Sequence, residues 1–374
     1  MNINRDIKSK IQSNLFKGKI IIIYGARRVG KTVLSKQIIA EEKNGKYINC
    51  ELLQNKTLLE TTNSEKLKDI IGKHTLIVLD EAQSVQKIGL ILKVMVDTFP
   101  DVQIIATGSS SFDLADKISE PLTGRTRQYI LYPFSINEIR QVFSKPEQNA
   151  RIERNLRFGL YPDIYDKGEA EAIEELNELT SNYLYKDILQ HQNIKKPELV
   201  INLLRALALQ IGSEVSIHEL AGLLKQNSHT INRYIEILEK SFVIFRLPAL
   251  ARNLRKEISK NNKIYFYDLG IRNSLIQNYN PMSLRTDKGG LWENFCILER
   301  LKHLNNNRKF VNKYFWRTYD QKEIDYIEEY DGILHSYEFK FGGIRKIKLP
   351  KDFKDNYPNH TFNLIHPENI DEFL

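Results

Sequence analysis

An α/β fold is predicted for this chain, a parallel sheet with helices on both faces followed by further domains, and three observations predict it. Apolar runs without alternation, at Ile20 to Tyr24, Thr75 to Leu79 and Val102 to Ala106, fit strands of a parallel sheet buried on both faces. Segments with helical apolar spacing separate them, beginning with VLSKQIIAEE from Val33. The length of 374 residues exceeds what one core usually serves, so two or three domains are expected.

The first strand leads into Gly25-Ala26-Arg27-Arg28-Val29-Gly30-Lys31-Thr32, which fits the pattern G-x-x-x-x-G-K-[ST]. Strand, glycine loop and helix is the order that phosphate binding requires. Gly25 and Gly30 permit backbone angles that let successive N–H groups wrap a triphosphate, and the positive end of the following helix faces the same anion. Lys31 is then expected to reach the β- and γ-phosphates and the Thr32 hydroxyl to ligate Mg²⁺. The implied ligands are ATP and Mg²⁺, with residues 25–33 (Gly25, Ala26, Arg27, Arg28, Val29, Gly30, Lys31, Thr32, Val33) around the nucleotide.

The second strand ends in Asp80-Glu81. Asp80 is placed to hold Mg²⁺ beside the nucleotide, and Glu81 to orient and activate the attacking water, which points to hydrolysis beyond binding. The third strand ends in Thr107-Gly-Ser109-Ser110; Thr107 or Ser109 could sense the γ-phosphate, or form an ordinary Ser/Thr turn. Arg125 and Arg127, in Leu122-Thr-Gly-Arg-Thr-Arg, offer guanidinium groups for phosphoryl charge, in cis or from a neighbouring subunit, against the alternative of solvated surface arginines. Arg127 to Leu131 reads as a further strand, and Ser135-Ile-Asn-Glu138 as a capping box opening a short helix.

These residues together resemble the AAA-type P-loop ATPases, and within them a prokaryotic group in which such a module precedes a C-terminal restriction-endonuclease-like domain. The resemblance runs most of the chain, on GARRVGKT, LDEAQ at 79–83, TGSSS at 107–111, GRTRQYILYPFS at 124–135 and Gly159-Leu-Tyr-Pro162, where Leu160 replaces one glycine of the group. It implies a helical lid over the nucleotide after about Pro146.

Composition narrows the setting. No apolar stretch reaches membrane-spanning length, the charged N-terminus has no secretory segment, and two distant cysteines, Cys50 and Cys296, imply neither a disulfide framework nor a thiolate metal site, so a cytoplasmic protein is expected. A net charge of +8 permits a nucleic-acid partner, but 47 interspersed acids keep charge from deciding.

From about Pro197 to Leu250 the pattern is helix, helix, turn, helix and a wing-like strand, a winged-helix order; Ser216 to Glu219 forms a second capping box. On its third helix Ile231, Ile235 and Leu238 share one face, leaving His229, Asn232, Arg233, Glu236 and Glu239 outside. Those glutamates argue against groove reading, so an inter-domain spacer or protein contact stands beside the DNA reading. Arg252, Arg255, Lys256, Lys260 and Lys263 could carry phosphate contacts or form a solvated linker.

The last third offers a strand from Lys263 to Tyr267, with Asp268 capping the next helix. A helix carrying Glu293 follows, then the strands KYFWRT, EIDYIEEY and HSYEFKF, the last two joined at Asp331-Gly332. Alternation puts Glu338 and Lys340 on one face. An Asp opening one strand with Glu-x-Lys on its hairpin partner resembles the restriction-endonuclease-like nucleases. The resemblance implies Asp325 and Glu338 as metal ligands and Lys340 as the catalytic lysine, with Glu293 as a further contact. The bland alternative is a Glu and a Lys on a solvent-facing strand.

The expected domains are a P-loop ATPase at 1–145, a helical lid and winged helix at 146–255, and an α/β restriction-endonuclease-like domain at 256–374. The expected activity is Mg²⁺-dependent ATP hydrolysis coupled to that tail, with DNA and further copies of the chain as candidate partners. The other reading is a nucleotide-dependent switch or scaffold whose tail binds protein and cuts nothing.

Overall fold

The computed structural model describes residues 3–108, 122–184, 194, 196–250, 262–318, 320–342 and 347–374. Two compact units result, Met1–Phe134 with Lys240–Phe242, and Ser135–Glu239 with Val243–Leu374. Ser109 to Ser111, Arg252, Arg255, Lys256 and Lys260 lie outside the described residues.

In the first unit the elements run α1 (Ile7–Gln12), β1 (Ile20–Tyr24), α2 (Lys31–Ala40), β2 (Gly45–Asn49), α3 (Leu53–Leu59), α4 (Ser64–Ile71), β3 (Leu76–Asp80), α5 (Ile88–Thr98), β4 (Gln103–Gly108) and β5 (Thr126–Ile130). The strands form one parallel sheet in the order β2-β3-β4-β1-β5. Every residue of β1, β3 and β4 is buried, which is why these runs carry no alternation. Because β4 sits between β1 and β3, the carboxyl ends of the three strands lie side by side. That edge holds the glycine loop after β1, Thr107 inside β4 and Asp80 as the last residue of β3.

The second unit opens with α6 (Ile136–Ile139), whose start is the expected capping box: Ser135 accepts from the Glu138 N–H and Glu138 returns a bond to the Ser135 N–H. Next come α7 (Lys145–Phe158) and α8 (Glu169–Glu178). α8 is followed directly by a wider π-helical stretch at Leu179–Leu184.

At the end of α7, Gly159 has φ 72° and the next residue's N–H donates to Asp268 Oδ2 at 2.8 Å. Asp268 also caps α12 (Leu269–Leu275), as expected, by accepting from the Ile271 N–H. Burial pushes the Asp268 carboxyl up to about 6, against the pull of those N–H donors and of Lys302.

Between these lie α9 (Pro197–Leu209), β6 (Glu214–Val215), α10 (Ile217–Leu223), α11 (Ser228–Lys240), β7 (Ile244–Leu247) and β8 (Asn262–Phe266). Ser216 caps α10 by accepting from the Glu219 N–H. The three strands form an antiparallel sheet in the order β6-β8-β7. β8 is its centre, with Lys263 opposite both Glu214 and Leu247. The boundary expected at 255/256 would have given this strand to the C-terminal domain; its backbone pairing ties it to the strands before that boundary. Ile231, Ile235 and Leu238 are buried on α11 as their spacing predicts.

The chain ends with α13 (Lys288–Asn306), β9 (Asn312–Arg317), β10 (Glu323–Tyr330), β11 (Ile333–Phe339), α14 (Lys351–Asn356), β12 (His360–Ile365) and α15 (Ile370–Phe373). The sheet order is β12-β11-β10-β9, antiparallel except for the parallel β11/β12 pair. Asp331 and Gly332, at φ 52° and 73°, make the two-residue turn that joins β10 and β11. Trp316, Ile324, Ile327, Leu334 and Phe353 form the core beneath this sheet.

Candidate nucleotide site and a second charged centre

The loop after β1 is shaped by close contacts. A Cβ on Gly25 would lie 2.2 Å from the Leu131 carbonyl oxygen, so no larger residue fits where the loop leaves the sheet. Gly30, at φ 95°, precedes α2, whose first residue is Lys31. From the N-terminal segment, the buried Arg5 donates to the Val29 carbonyl at 2.7 Å and to the Tyr132 carbonyl at 2.5 Å, while stacking over Phe134. This guanidinium fastens the loop from outside the motif, and nothing in the local sequence pattern announces it.

Within the loop, Lys31 is buried, and its Nζ donates to the carbonyls of Gly25 (3.0 Å) and Ala26 (2.9 Å) while lying 3.9 Å from Glu81 Oε1. Asp80 gathers three hydroxyls: Thr32 at 2.7 Å and Tyr47 at 2.5 Å on Oδ2, and Thr107 at 2.5 Å on Oδ1. Burial, then the Asp80 carboxylate, pushes the Tyr47 phenol up. Thr107 Oγ1 in turn accepts from the Glu81 N–H at 3.0 Å. Glu81 itself adopts the left-handed region, φ 53° and ψ 46°, which a residue with a Cβ enters only at a cost, and its Oε2 accepts from Gln83.

The structure therefore brings Gly25, Gly30, Lys31, Thr32, Asp80, Glu81 and Thr107 to one edge of the sheet. A hydroxyl and a carboxylate in contact beside a helix N-terminus fit a hard divalent cation such as Mg²⁺. Tyr47 was not foreseen, because it reaches Asp80 only through the pairing of β2 with β3.

Arg125 does not join this edge. It immediately precedes β5, which runs parallel to β1, so it stands at the amino-terminal edge of the sheet, opposite the loop. There it pairs with Asp97 at 2.7 Å. The expectation of a role in cis is thereby corrected; Arg127 lies within β5, beside Ile21.

The second unit holds another charged centre. Tyr326 opposes Tyr337 on β10 and β11, and one step along that register sets Asp325 against Glu338. Asp325 Oδ2 accepts from the Phe339 N–H at 2.8 Å, and Lys340 donates to Glu338 at 2.8 Å, so Asp325, Glu338 and Lys340 share one end of the hairpin. The carboxylates able to share one cation among the described residues are, however, Glu293, Glu323 and Asp325, with one oxygen each within 4.8 Å of the others. Glu338, expected as a ligand, stands outside that set and is engaged by Lys340.

Burial, reinforced by Asp325, pushes the Glu293 carboxyl up to about 8; Asp325 and Glu338 are raised in the same sense, mainly by burial. Glu323, two residues before Asp325, opens the same strand.

On the third helix of the preceding part, α11, Asn232, Glu236 and Glu239 are engaged with each other or with β7. Asn232 donates to Glu236, and Glu239 takes the Arg246 guanidinium.

A five-stranded parallel sheet with a glycine loop at its carboxyl edge defines the fold of a P-loop ATPase. Residues 17–140 match a family described as an AAA domain, and 149–281 and 288–371 match two families described as domains of unknown function. An uncharacterized protein of Mycobacterium tuberculosis is 26% identical over 343 residues, covering 90% of this chain and 73% of that protein. A second uncharacterized protein, from Methanocaldococcus jannaschii, is 29% identical over 318 residues, covering 79% and 69%. Among solved structures, a Walker-type ATPase of Pyrococcus abyssi is similar with a TM-score of 0.52 at 17% identity, over 74% of this chain and 96% of that one. Sheet and family match together support a P-loop AAA-type ATPase in the first unit. No helix among the described residues is long and apolar enough to cross a membrane.

Proposed function

We propose that the chain binds ATP on the 25–32 loop and hydrolyses it, with Glu81 as the residue that orients and deprotonates the attacking water. The observation that carries this reading is the continuous hydrogen-bonded chain from Thr32 through Asp80 and Thr107 to the Glu81 N–H. It fixes Glu81 beside the loop by its backbone and leaves the carboxylate near Lys31. Lys31 exchanges the carbonyls of Gly25 and Ala26 for phosphate oxygens when nucleotide enters, since an ammonium gains more from an anion than from neutral acceptors. The loop N–H groups and the start of α2 hold the remaining phosphate charge. Thr107, bonded to Asp80 and to the Glu81 N–H, senses the γ-phosphate, the role expected of it or of Ser109.

Thr32 and Asp80 would hold Mg²⁺, which supplies charge neutralisation at the phosphates. Phosphate release from ATP should therefore stop when EDTA removes the metal and return when Mg²⁺ is restored in excess. Turnover that persists in EDTA would exclude this assignment.

For the second unit, the order α9-β6-α10-α11-β7-β8 supports a winged helix, and α13-β9-β10-β11-α14-β12, with Asp325, Glu338 and Lys340 at one sheet end, supports a restriction-endonuclease-like fold. The nucleotide state would be relayed to this tail, with DNA as the partner the fold suggests. The outer face of α11 favours the switch or scaffold reading, because Glu236 puts negative charge, and Glu239 occupies the Arg246 guanidinium, where a groove-reading helix needs phosphate-binding cations. Arg125, at the far edge of the sheet, would meet phosphoryl charge only in trans, at an interface between copies.

A further inference from the structure

The resemblance of the C-terminal sheet to nucleases implies a divalent metal between its carboxylates, and the residues present do not fit one. Glu293, Glu323 and Asp325 are spaced as a cation requires, and a cation is already among them. Lys263 Nζ lies 2.7 Å from Glu293 Oε1 and in contact with Glu323; its side chain is 1% exposed and runs over the Phe315 ring. The lysine is delivered from β8, the central strand of the preceding sheet.

We propose that the Lys263 ammonium is the resident cation of this centre and keeps divalent metal off Glu293, Glu323 and Asp325, so that the nuclease-like sheet carries no metal-dependent cleavage. A buried ammonium is tolerated only when polar or anionic oxygens meet it, and here the carboxyl groups of Glu293 and Glu323 do. The same Glu293 oxygen also accepts the Tyr265 hydroxyl at 2.5 Å, which leaves it little capacity for a further ligand bond. Asp325 gives one oxygen to the Phe339 N–H. A divalent ion needs carboxylate oxygens at roughly 2.0–2.6 Å, which puts it on the position that Nζ fills. Three cations already serve the carboxylates of Glu293, Glu323, Asp325 and Glu338: Lys263, Lys340 and, at 3.7 Å from Glu323, Arg317, which also meets Glu214.

The inference rests on the nuclease-like reading of the tail and is independent of the ATPase reading, so the test removes the first unit's metal site with Asp80→Asn. Mn²⁺ is titrated into full-length Asp80→Asn and Asp80→Asn/Lys263→Met proteins and followed by electron paramagnetic resonance. The expected result is one Mn²⁺ bound at least tenfold more tightly when Lys263 is replaced, with that gain abolished by adding Asp325→Asn. One Mn²⁺ bound equally well with Lys263 in place, in a manner that Asp325→Asn abolishes, overturns the exclusion while leaving the nuclease-like reading standing. No Asp325-dependent Mn²⁺ in either protein overturns both. If Lys263→Met does not fold, Lys263→Gln, which keeps a donor toward Glu293, takes its place in the same comparison.

Discussion

The Glu81→Gln protein should bind ATP as tightly as the unaltered chain and release phosphate about 10²–10⁴-fold more slowly, the usual contribution of a positioned general base. The substitution is nearly isosteric, so the features that aim residue 81 should survive it. These are its left-handed backbone at φ 53°, the N–H bond to Thr107 and the contact with Gln83. What disappears is the carboxylate's capacity to take a proton. Binding should stay intact because the phosphate-holding groups are the loop N–H donors, Lys31 and Thr32. Bound ATP should therefore accumulate, visible as unhydrolysed nucleotide retained on the protein after gel filtration. Equal turnover in the two proteins would remove Glu81 from the mechanism.

Gly159→Ala should destabilise the second unit by about 3 kcal/mol or more, from left-handed strain together with disruption of a buried hydrogen-bonded carboxylate. Gly159 sits at φ 72°, and a Cβ there would lie 2.1 Å from Asp268 Oδ1. That carboxylate cannot simply move aside. It is buried, its two oxygens accept from the Leu160 and Ile271 N–H groups, and it caps α12. Relieving the clash breaks one or both bonds and leaves donors unpaired. Chemical denaturation followed by tryptophan fluorescence reads this unit, since both tryptophans, Trp292 and Trp316, belong to it. A loss below about 1 kcal/mol would show that Asp268 is not held as rigidly as this packing requires.

Much of the fold was legible because its signals are local. The loop of residues 25–32, the buried runs of β1 and β3, the capping box at Ser135 and the Asp331-Gly332 turn are each decided by neighbours within a few residues. What the sequence pattern does not carry is which strands become neighbours. Tyr47 meets Asp80 because β2 pairs with β3, and Arg125 falls on the wrong edge because β5 runs parallel to β1. Arg5 braces the loop across 24 residues of chain.

The second centre shows the same division. Asp325, Glu338 and Lys340 could be found from a hairpin and its alternation. Lys263 could not, because it stands beside a basic cluster in the sequence, and only the packing of α13 on β8 and the approach of β10 set it against Glu293 and Glu323. The missed cation changes the chemical meaning of the motif that was found.

The central claim is that the glycine loop holds the phosphates of ATP, and the most direct measurement is an equilibrium titration of ATP with Mg²⁺ into the unaltered and Lys31→Ala proteins. Loss of the charge-assisted bonds of Lys31 predicts affinity weakened by about 100-fold, roughly 2.7 kcal/mol. The same affinity in both proteins would contradict the account.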